Sequence, residues 1–267
     1  MVARRERGLV LASYARGLRR MVCVMNWLPF GELPPHSPRQ SVPREADPGS
    51  WAAVKPLFDR LEARLGQAAS PADLERWLVD WSELTSVIDD EGSRRYIAMT
   101  CHTEDPEAER AYLDFVERLE PEIKPRQAAL EQLYLAHPAR TQLPKPRYEV
   151  LDRQVRVRVE LFRQENVALE TEEARLSQQF QKLSGSLTVP FQGEEQTLVR
   201  MNRYLEEPDR ALRQQAWEAV ARRRLAEKDR FDSLFDDLLV VRRKLAANAG
   251  FANYRDFAFP LRGCIRA

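Results

Sequence analysis

The chain has 267 residues, enough for one large domain or two smaller ones, and its 42 Lys and Arg residues nearly balance its 41 Asp and Glu residues. A formal net charge of +1 gives no overall field that would attract nucleic acid or an anionic membrane. Charged residues make up 31% of the chain and glycines number only 10, which favours long solvated helices over a β-rich fold. The composition therefore predicts a helical protein that binds neither nucleic acid nor membrane.

The three cysteines, Cys23, Cys101 and Cys264, are far apart and form no CxxC pair, which argues against a disulfide framework and a Cys-rich metal site. We therefore expect a reducing, cytoplasmic location. The arginine-rich start of the chain ends in the apolar stretch 21–30, which is much shorter than the roughly 18 apolar residues of a membrane-spanning helix. We expect residues 1–49 to be an irregular leader and proline-rich arm, with an export or transit signal as the alternative.

Helical periodicity begins after this arm. Ser50 can cap a helix that runs towards Gly66, and Ser70 followed by Pro71 is typical of the start of a second helix. One face of the second helix carries apolar residues at spacings of three and four positions: Leu74, Trp77, Leu78, Trp81, Leu84 and Ile88.

A third helix is predicted from Asp105 and Pro106, which repeat the signal of a cap followed by a proline. Its apolar stripe consists of Ala108, Ala111, Phe115 and Leu119. Pro121 and Pro125 are expected to kink or interrupt the helix, and helical sequence then continues to about Tyr134.

Two further helical runs are predicted between residues 148 and 183, the second with Leu169, Leu176, Phe180 and Leu183 on one face. Alternating apolar residues, a proline and a glycine near residues 186–198 then predict a small β-hairpin or an extended excursion. The longest helix is expected to begin at Pro208 and end near Asn248, before Gly250, which would give it a length on the order of 60 Å. The fold class predicted is all-α, a long-helix bundle with one small hairpin.

Zinc hydrolases often use a helix that presents two histidines four positions apart to one ion, with a glutamate beside them as general base. The only histidines are His36, His102 and His137, and no two of them are close enough to share a helix face. A zinc site assembled from distant ligands is the remaining metal alternative. The sequence therefore predicts no HExxH zinc centre in this chain.

Cys101 and His102, followed by Glu104 and Asp105, form the nearest approach to a reactive cluster. A neighbouring imidazole can activate a thiol, but adjacent residues on a helix seldom face each other. We interpret the cluster as the end of one helix followed by the acidic N-cap of the next.

Carboxylate pairs are another candidate, in the run Asp89, Asp90 and Glu91 and in the pair Asp232 and Asp236. We interpret both as solvated surface, with a catalytic dyad as the alternative. The sequence therefore predicts no catalytic, metal-binding or cofactor-binding residue in this chain.

Two basic clusters, Arg222 to Arg224 and Arg242 to Lys244, could contact phosphate, but the acids interspersed with them favour a solvated surface. The sequence contains no GxxxxGK[ST], GxGxxG or GxSxG, so neither a nucleotide-binding loop nor a serine-hydrolase elbow has support.

Three stretches in the last third of the chain carry a resemblance. Residues 187–198 read LTVPFQGEEQTL, residues 205–217 read LEEPDRALRQQAW, and residues 246–257 read AANAGFANYRDF after the long apolar stripe of residues 231–243. Together they resemble the middle of oligoendopeptidase F-type members of the M3 metallopeptidase family, and the helical segments from Trp51 onward are compatible with the N-terminal domain of that family.

The resemblance implies a mostly helical fold with a deep channel in which zinc, bound by HExxH and a later glutamate, cleaves short peptides. It also implies an N-terminal helical domain over residues 50–184 and the start of the peptidase domain over residues 185–267. In the family the zinc ligands follow this region, and no residue of this chain matches one, so no cofactor is expected here. We expect an inactive N-terminal fragment, truncated before the zinc motif.

Two alternatives remain. A separate C-terminal catalytic half could supply HExxH, so that this chain forms one wall of the channel of a split enzyme. Alternatively, the chain is a helical interaction module unrelated to proteolysis, although that reading leaves the motifs unexplained. If helices normally pack against a catalytic half, apolar residues such as Phe231, Phe235 and Leu238 would be exposed, and we expect self-association of the chain alone.

Overall fold

A computed structural model describes residues 39–263. The predicted leader before residue 39 lies outside the described residues, with Cys23 and His36, as does Cys264. The α-helices that the structure describes are, in chain order, α1 (Trp51–Gln67), α2 (Pro71–Cys101), α3 (Pro106–Asp114), α4 (Glu120–Ala136), α5 (Lys145–Leu161), α6 (Asn166–Gly185), α7 (Arg210–Ala226), α8 (Lys228–Asn248) and α9 (Tyr254–Leu261). A single antiparallel pair, β1 (Thr188–Phe191) and β2 (Glu194–Thr197), lies between α6 and α7 in this part of the chain. The predicted all-α fold with one small hairpin is confirmed.

The boundary between α1 and α2 follows its local sequence. The Ser70 hydroxyl accepts a hydrogen bond from the Asp73 amide, and the Asp73 carboxylate accepts one from the Ser70 amide, which completes a capping box before Pro71. α1 begins directly after Ser50 as predicted, but the Ser50 side chain makes no capping hydrogen bond. The main chain thus starts α1 without the side-chain support that the sequence suggested.

The first hydrophobic cluster fills the space between α1, α2, α4 and α5. All six residues of the predicted α2 stripe are buried in it. At its centre the Trp77 ring lies 5.0 Å from the Trp81 ring and 6.3 Å from the Tyr134 ring, between centroids, and Trp77 Nε1 donates to the carbonyl oxygen of Leu61 at 2.8 Å. The buried indole is therefore both packed and hydrogen-bonded.

The expected disturbance near Pro121 takes the form of a π-helical segment, Phe115–Leu119, which joins α3 to α4 without a break. Pro121 lies in the first turn of α4, where a missing N–H group is tolerated. Phe115 is buried against Gly92 of α2, so closely that a methyl group at Gly92 would lie 2.9 Å from the ring. We attribute the local widening of the helix to this close packing of Phe115.

The prediction of one long helix from Pro208 to Asn248 is wrong. The helix is divided at Glu227, whose φ and ψ of −104° and 9° are not helical, and the longest helix described is α2 with 31 residues. α7 packs against the hairpin, whereas α8 packs along α6. Because the two helices have different packing partners, the chain changes direction between them although no glycine or proline lies there.

The second and third hydrophobic clusters are smaller. The second joins α5, α6, α8 and α9, and Asn166 supports it by donating from Nδ2 to the carbonyl oxygen of Leu245 at 3.0 Å. The third joins the hairpin to α7 through Leu187, Val189, Leu198, Met201 and Ala216. On the predicted α6 face, Leu176 and Leu183 are buried, but Phe180 is 46% exposed and meets the Phe231 ring at its edge.

Candidate functional site

The side chain of His137 has a structural role. His137 Nε2 lies 3.1 Å from the carbonyl oxygen of Ala68, and its Nδ1 accepts from the Ala139 amide at 3.3 Å. Since both ring nitrogens are engaged, His137 has no free lone pair for a metal ion. His36 lies outside the described residues.

Cys101 and His102 lie at the end of α2, where both side chains are exposed. His102 is the C-cap of α2, and Asp105 is the N-cap of α3, accepting from the Glu107 amide at 2.8 Å. The structure therefore places this cluster at a helix end followed by an acidic cap, as we interpreted it.

Several members of the charged runs are engaged in ion pairs. Asp90 pairs with Arg94 and Glu91 with Arg95, each one helical turn apart. In the same run, partial burial raises the pKa of Asp89. The Asp232 carboxylate forms an ion pair with Lys228.

The basic clusters are also partly neutralised. Arg223 pairs with Glu227 at 2.8 Å, and Arg242 pairs with Glu173 at 2.7 Å while lying over the Tyr254 ring. These contacts join α7 to the break at Glu227 and α8 to α6.

The residues from 39 to 263 do not fit the zinc centre that the resemblance implies for the complete enzyme. No three His, Cys, Asp or Glu side chains within that range are grouped as a metal ion would require. No helix in the same range is long and apolar enough to cross a membrane.

A cavity in the described part of the chain lies between α5 and α9, and we call it the α5–α9 groove. It has a volume of about 1,510 Å³ and is lined by Arg140, Thr141, Leu143, Lys145, Tyr148, Glu149, Asp152, Arg153, Arg156, Val157, Glu160, Phe251, Arg255, Asp256, Phe259 and Pro260. Its two walls are more than ninety residues apart in the chain, which is why no sequence motif pointed to it.

Two ion pairs fix the rim of the groove. Arg140 Nη1 lies 3.0 Å from an Asp152 carboxylate oxygen, and Asp152 also accepts from the Tyr134 hydroxyl at 2.6 Å. The pKa of the Tyr134 hydroxyl is raised, first because the group is buried and second because it donates this hydrogen bond to a carboxylate. On the other wall, Arg255 Nε lies 3.0 Å from Asp256 Oδ1.

A second surface feature is a concentration of exposed apolar residues in the last third of the described chain. Six of the fourteen large apolar residues that are exposed in the described part of the chain fall between residues 199 and 240: Val199, Leu205, Trp217, Leu225, Phe235 and Val240. We call them the C-terminal apolar face. Of the three residues expected to be exposed, Phe235 is, at 56%, but Leu238 is buried beneath α6 and Phe231 is only half-buried.

Residues 47–162 match the family model described as the peptidase M3 N-terminal domain. No curated protein sequence matches the chain significantly.

Solved structures resemble most of the chain. PZ peptidase A, solved with an inhibitor, is 22% identical with a TM-score of 0.77, over 85% of this chain and 40% of its own. A protein described as an oligoendopeptidase F is 24% identical with a TM-score of 0.75, over 83% of this chain and 39% of its own. Another protein described as an oligoendopeptidase F, from Bacillus anthracis str. Ames, is 22% identical with a TM-score of 0.76, over 84% of this chain and 41% of its own. The chain thus spans about two fifths of the length of these structures.

Proposed function

We propose that this chain is the N-terminal portion of an M3-family peptidase of the oligoendopeptidase F type, a zinc-dependent enzyme that hydrolyses short peptides, and that the chain is inactive by itself. The observation that carries the proposal is the agreement of fold over more than four fifths of this chain with proteins described as oligoendopeptidases. The absence of HExxH from this sequence supports inactivity of the chain alone.

Within this proposal, residues 50–184 form the N-terminal helical domain and residues 185–267 form the start of the peptidase domain. The first hydrophobic cluster draws its members from residues 42–155, whereas the third belongs entirely to residues 187–231. The three separated cysteines, which form no CxxC pair, support a cytoplasmic enzyme.

We further propose that a catalytic half bearing HExxH packs on the C-terminal apolar face. Trp217 and Leu225 are 63% and 67% exposed on α7, a helix whose single buried residue in the structure is Ala216. Exposed apolar side chains so concentrated in one region are typical of a surface that another polypeptide covers. The same face accounts for the self-association that we expect of the chain alone.

The test is to measure bound zinc and cleavage of a quenched fluorescent oligopeptide, first with this chain alone and then after mixing with the C-terminal half of a homologous M3 peptidase. We expect neither zinc nor cleavage from the chain alone, and both in the mixture. Stoichiometric zinc and chelator-sensitive cleavage by the chain alone would refute the proposal, as would a mixture that stays inactive.

Variants of the apolar face sharpen this test. Replacing Trp217 and Phe235 by serine should weaken association with the catalytic half by on the order of tenfold or more, because large aromatic side chains dominate interface energetics. Val79→Ser is the matched control, since Val79 is 57% exposed on α2, away from this face. Equal loss of association in both variants would show that the apolar face is not the contact.

A further inference from the structure

The α5–α9 groove is lined by two arginine side chains that have no partner among the described residues. The side chains of Arg153 and Arg156 are exposed, lie three positions apart on α5, and make no ion pair or hydrogen bond with any residue from 39 to 263. The other arginines of the groove are engaged, Arg140 with Asp152 and Arg255 with Asp256. Guanidinium groups such as these two provide the planar donors that a carboxylate binds.

We propose that the α5–α9 groove binds the C-terminal end of a short peptide, with Arg153 and Arg156 holding its terminal carboxylate. The inference rests on the proposed function in one respect, because short peptides are the substrates of that enzyme. It goes further in assigning a binding site to this chain and a preference for a free C-terminus.

The acidic side chains next to the two arginines favour a ligand with a single negative charge at that place. Glu149 lies one turn before Arg153, and Glu160 lies one turn after Arg156. A polyanion such as a nucleic-acid backbone would place further charges beside these two carboxylates and be repelled. A single carboxylate near both arginines would be attracted by each of them.

The remaining lining is suited to the rest of a peptide. Phe259 is 49% exposed, and with Phe251 and Val157 it offers apolar surface to a side chain of the ligand. The volume of about 1,510 Å³ exceeds the roughly 300–1,000 Å³ typical of small-molecule pockets. Groove residues along α5 run from Lys145 to Glu160, a length of about 22 Å, which accommodates about six or seven extended peptide residues.

The experiment compares two probes on the complete chain by fluorescence polarisation. One is a fluorescein-labelled hexapeptide of glycine and leucine that ends in phenylalanine with a free carboxylate, and the other is the same peptide with a terminal carboxamide. We expect the free acid to bind on the order of tenfold more tightly, since the charged acceptor strengthens each hydrogen bond. The preference should decrease with rising salt, because the arginines are exposed.

The double variant R153Q/R156Q should remove the preference for the free acid. The matched control is R60Q/R110Q, which loses the same charge at two exposed arginines that lie on α1 and α3, away from the groove, and should keep the preference. Phe259→Ala should weaken the binding of both peptides and leave their ratio unchanged. Circular dichroism melting curves verify that each variant is folded.

Equal affinity of the wild-type chain for acid and amide would overturn the inference. It would also be overturned if R153Q/R156Q kept the preference or if R60Q/R110Q lost it, since attraction would then not come from the groove. These outcomes are independent of hydrolysis. If the free acid binds more tightly but the mixture with the catalytic half stays inactive, the groove is supported and the proposed function is refuted. If the mixture is active but the chain binds acid and amide equally, the proposed function is supported and the groove is refuted.

Discussion

The region between Val42 and Val155 and the region between Val199 and Leu261 are both helical, yet they bury their apolar residues to very different extents. The first contributes 21 buried residues to a single cluster. In the second, α7 buries only Ala216, and the next residue, Trp217, is 63% exposed. The comparison shows that helical periodicity alone does not make a core, because a stripe is buried only where another element covers it.

The largest expected difference concerns two tryptophans. Trp77 is 1% exposed in the first cluster, so Trp77→Ala should lower the free energy of unfolding by about 3–5 kcal/mol. Trp217→Ala removes the same type of side chain from an exposed position and should change the free energy of unfolding by less than about 0.5 kcal/mol. Urea denaturation followed by circular dichroism measures both. Similar losses would mean that the chain by itself covers the face on which Trp217 lies.

The next effect compares two helical glycines of the N-terminal region. At Gly92 an added methyl group would lie 2.9 Å from the Phe115 ring, so Gly92→Ala should destabilise the chain by about 1–2 kcal/mol despite the better helix propensity of alanine. At Gly66, no described atom lies within 4 Å of such a group, and Gly66→Ala should stabilise by up to about 1 kcal/mol. Thermal melting of both variants supplies the test, and stabilisation by Gly92→Ala would contradict the close packing of Phe115.

The smallest effect depends on pH. Glu131 is 3% exposed beside Arg158, and its burial raises the pKa of the carboxyl group even though Arg158 acts in the opposite direction. A carboxyl group whose pKa is higher in the folded state stabilises the fold below its unfolded pKa, and that contribution is lost as pH rises through the folded pKa. Glu131→Gln removes the titration, so the variant should gain stability relative to the wild type as pH rises from acid to neutral.

A suitable control for this measurement is Glu122→Gln, because Glu122 is exposed on the same helix, α4. Its stability relative to the wild type should change little over the same pH range. Denaturation at several pH values checks both variants. If the stability of Glu131→Gln relative to the wild type fell as pH rises, attraction to Arg158 would outweigh the effect of burial.

Local features of the fold were predictable from sequence because local interactions determine them. The capping box at Ser70 and Asp73 and the stop before Gly250, whose φ is 85°, follow from side-chain and backbone preferences within a few residues. The hairpin is likewise predicted by the alternation of apolar residues with other residues around Gly193, whose φ is 81°.

The candidate site was not predictable. Arg153 on α5 and Phe259 on α9 face one cavity only because α9 packs against α5. The division of the predicted long helix at Glu227 has no sequence signal either, because it arises from the different partners of α7 and α8.

The sequence by itself therefore determined most of the helices, the caps at Ser70 and Asp105, the hairpin and the family resemblance, since these depend on short-range periodicity, backbone preferences and motifs. Only the tertiary structure decided which apolar stripes are buried, how His137 uses its ring nitrogens, and where Arg153 and Arg156 lie without a partner among the described residues. The physical reason is that burial and pairing depend on which distant segments meet, and neither is encoded in the spacing of nearby residues.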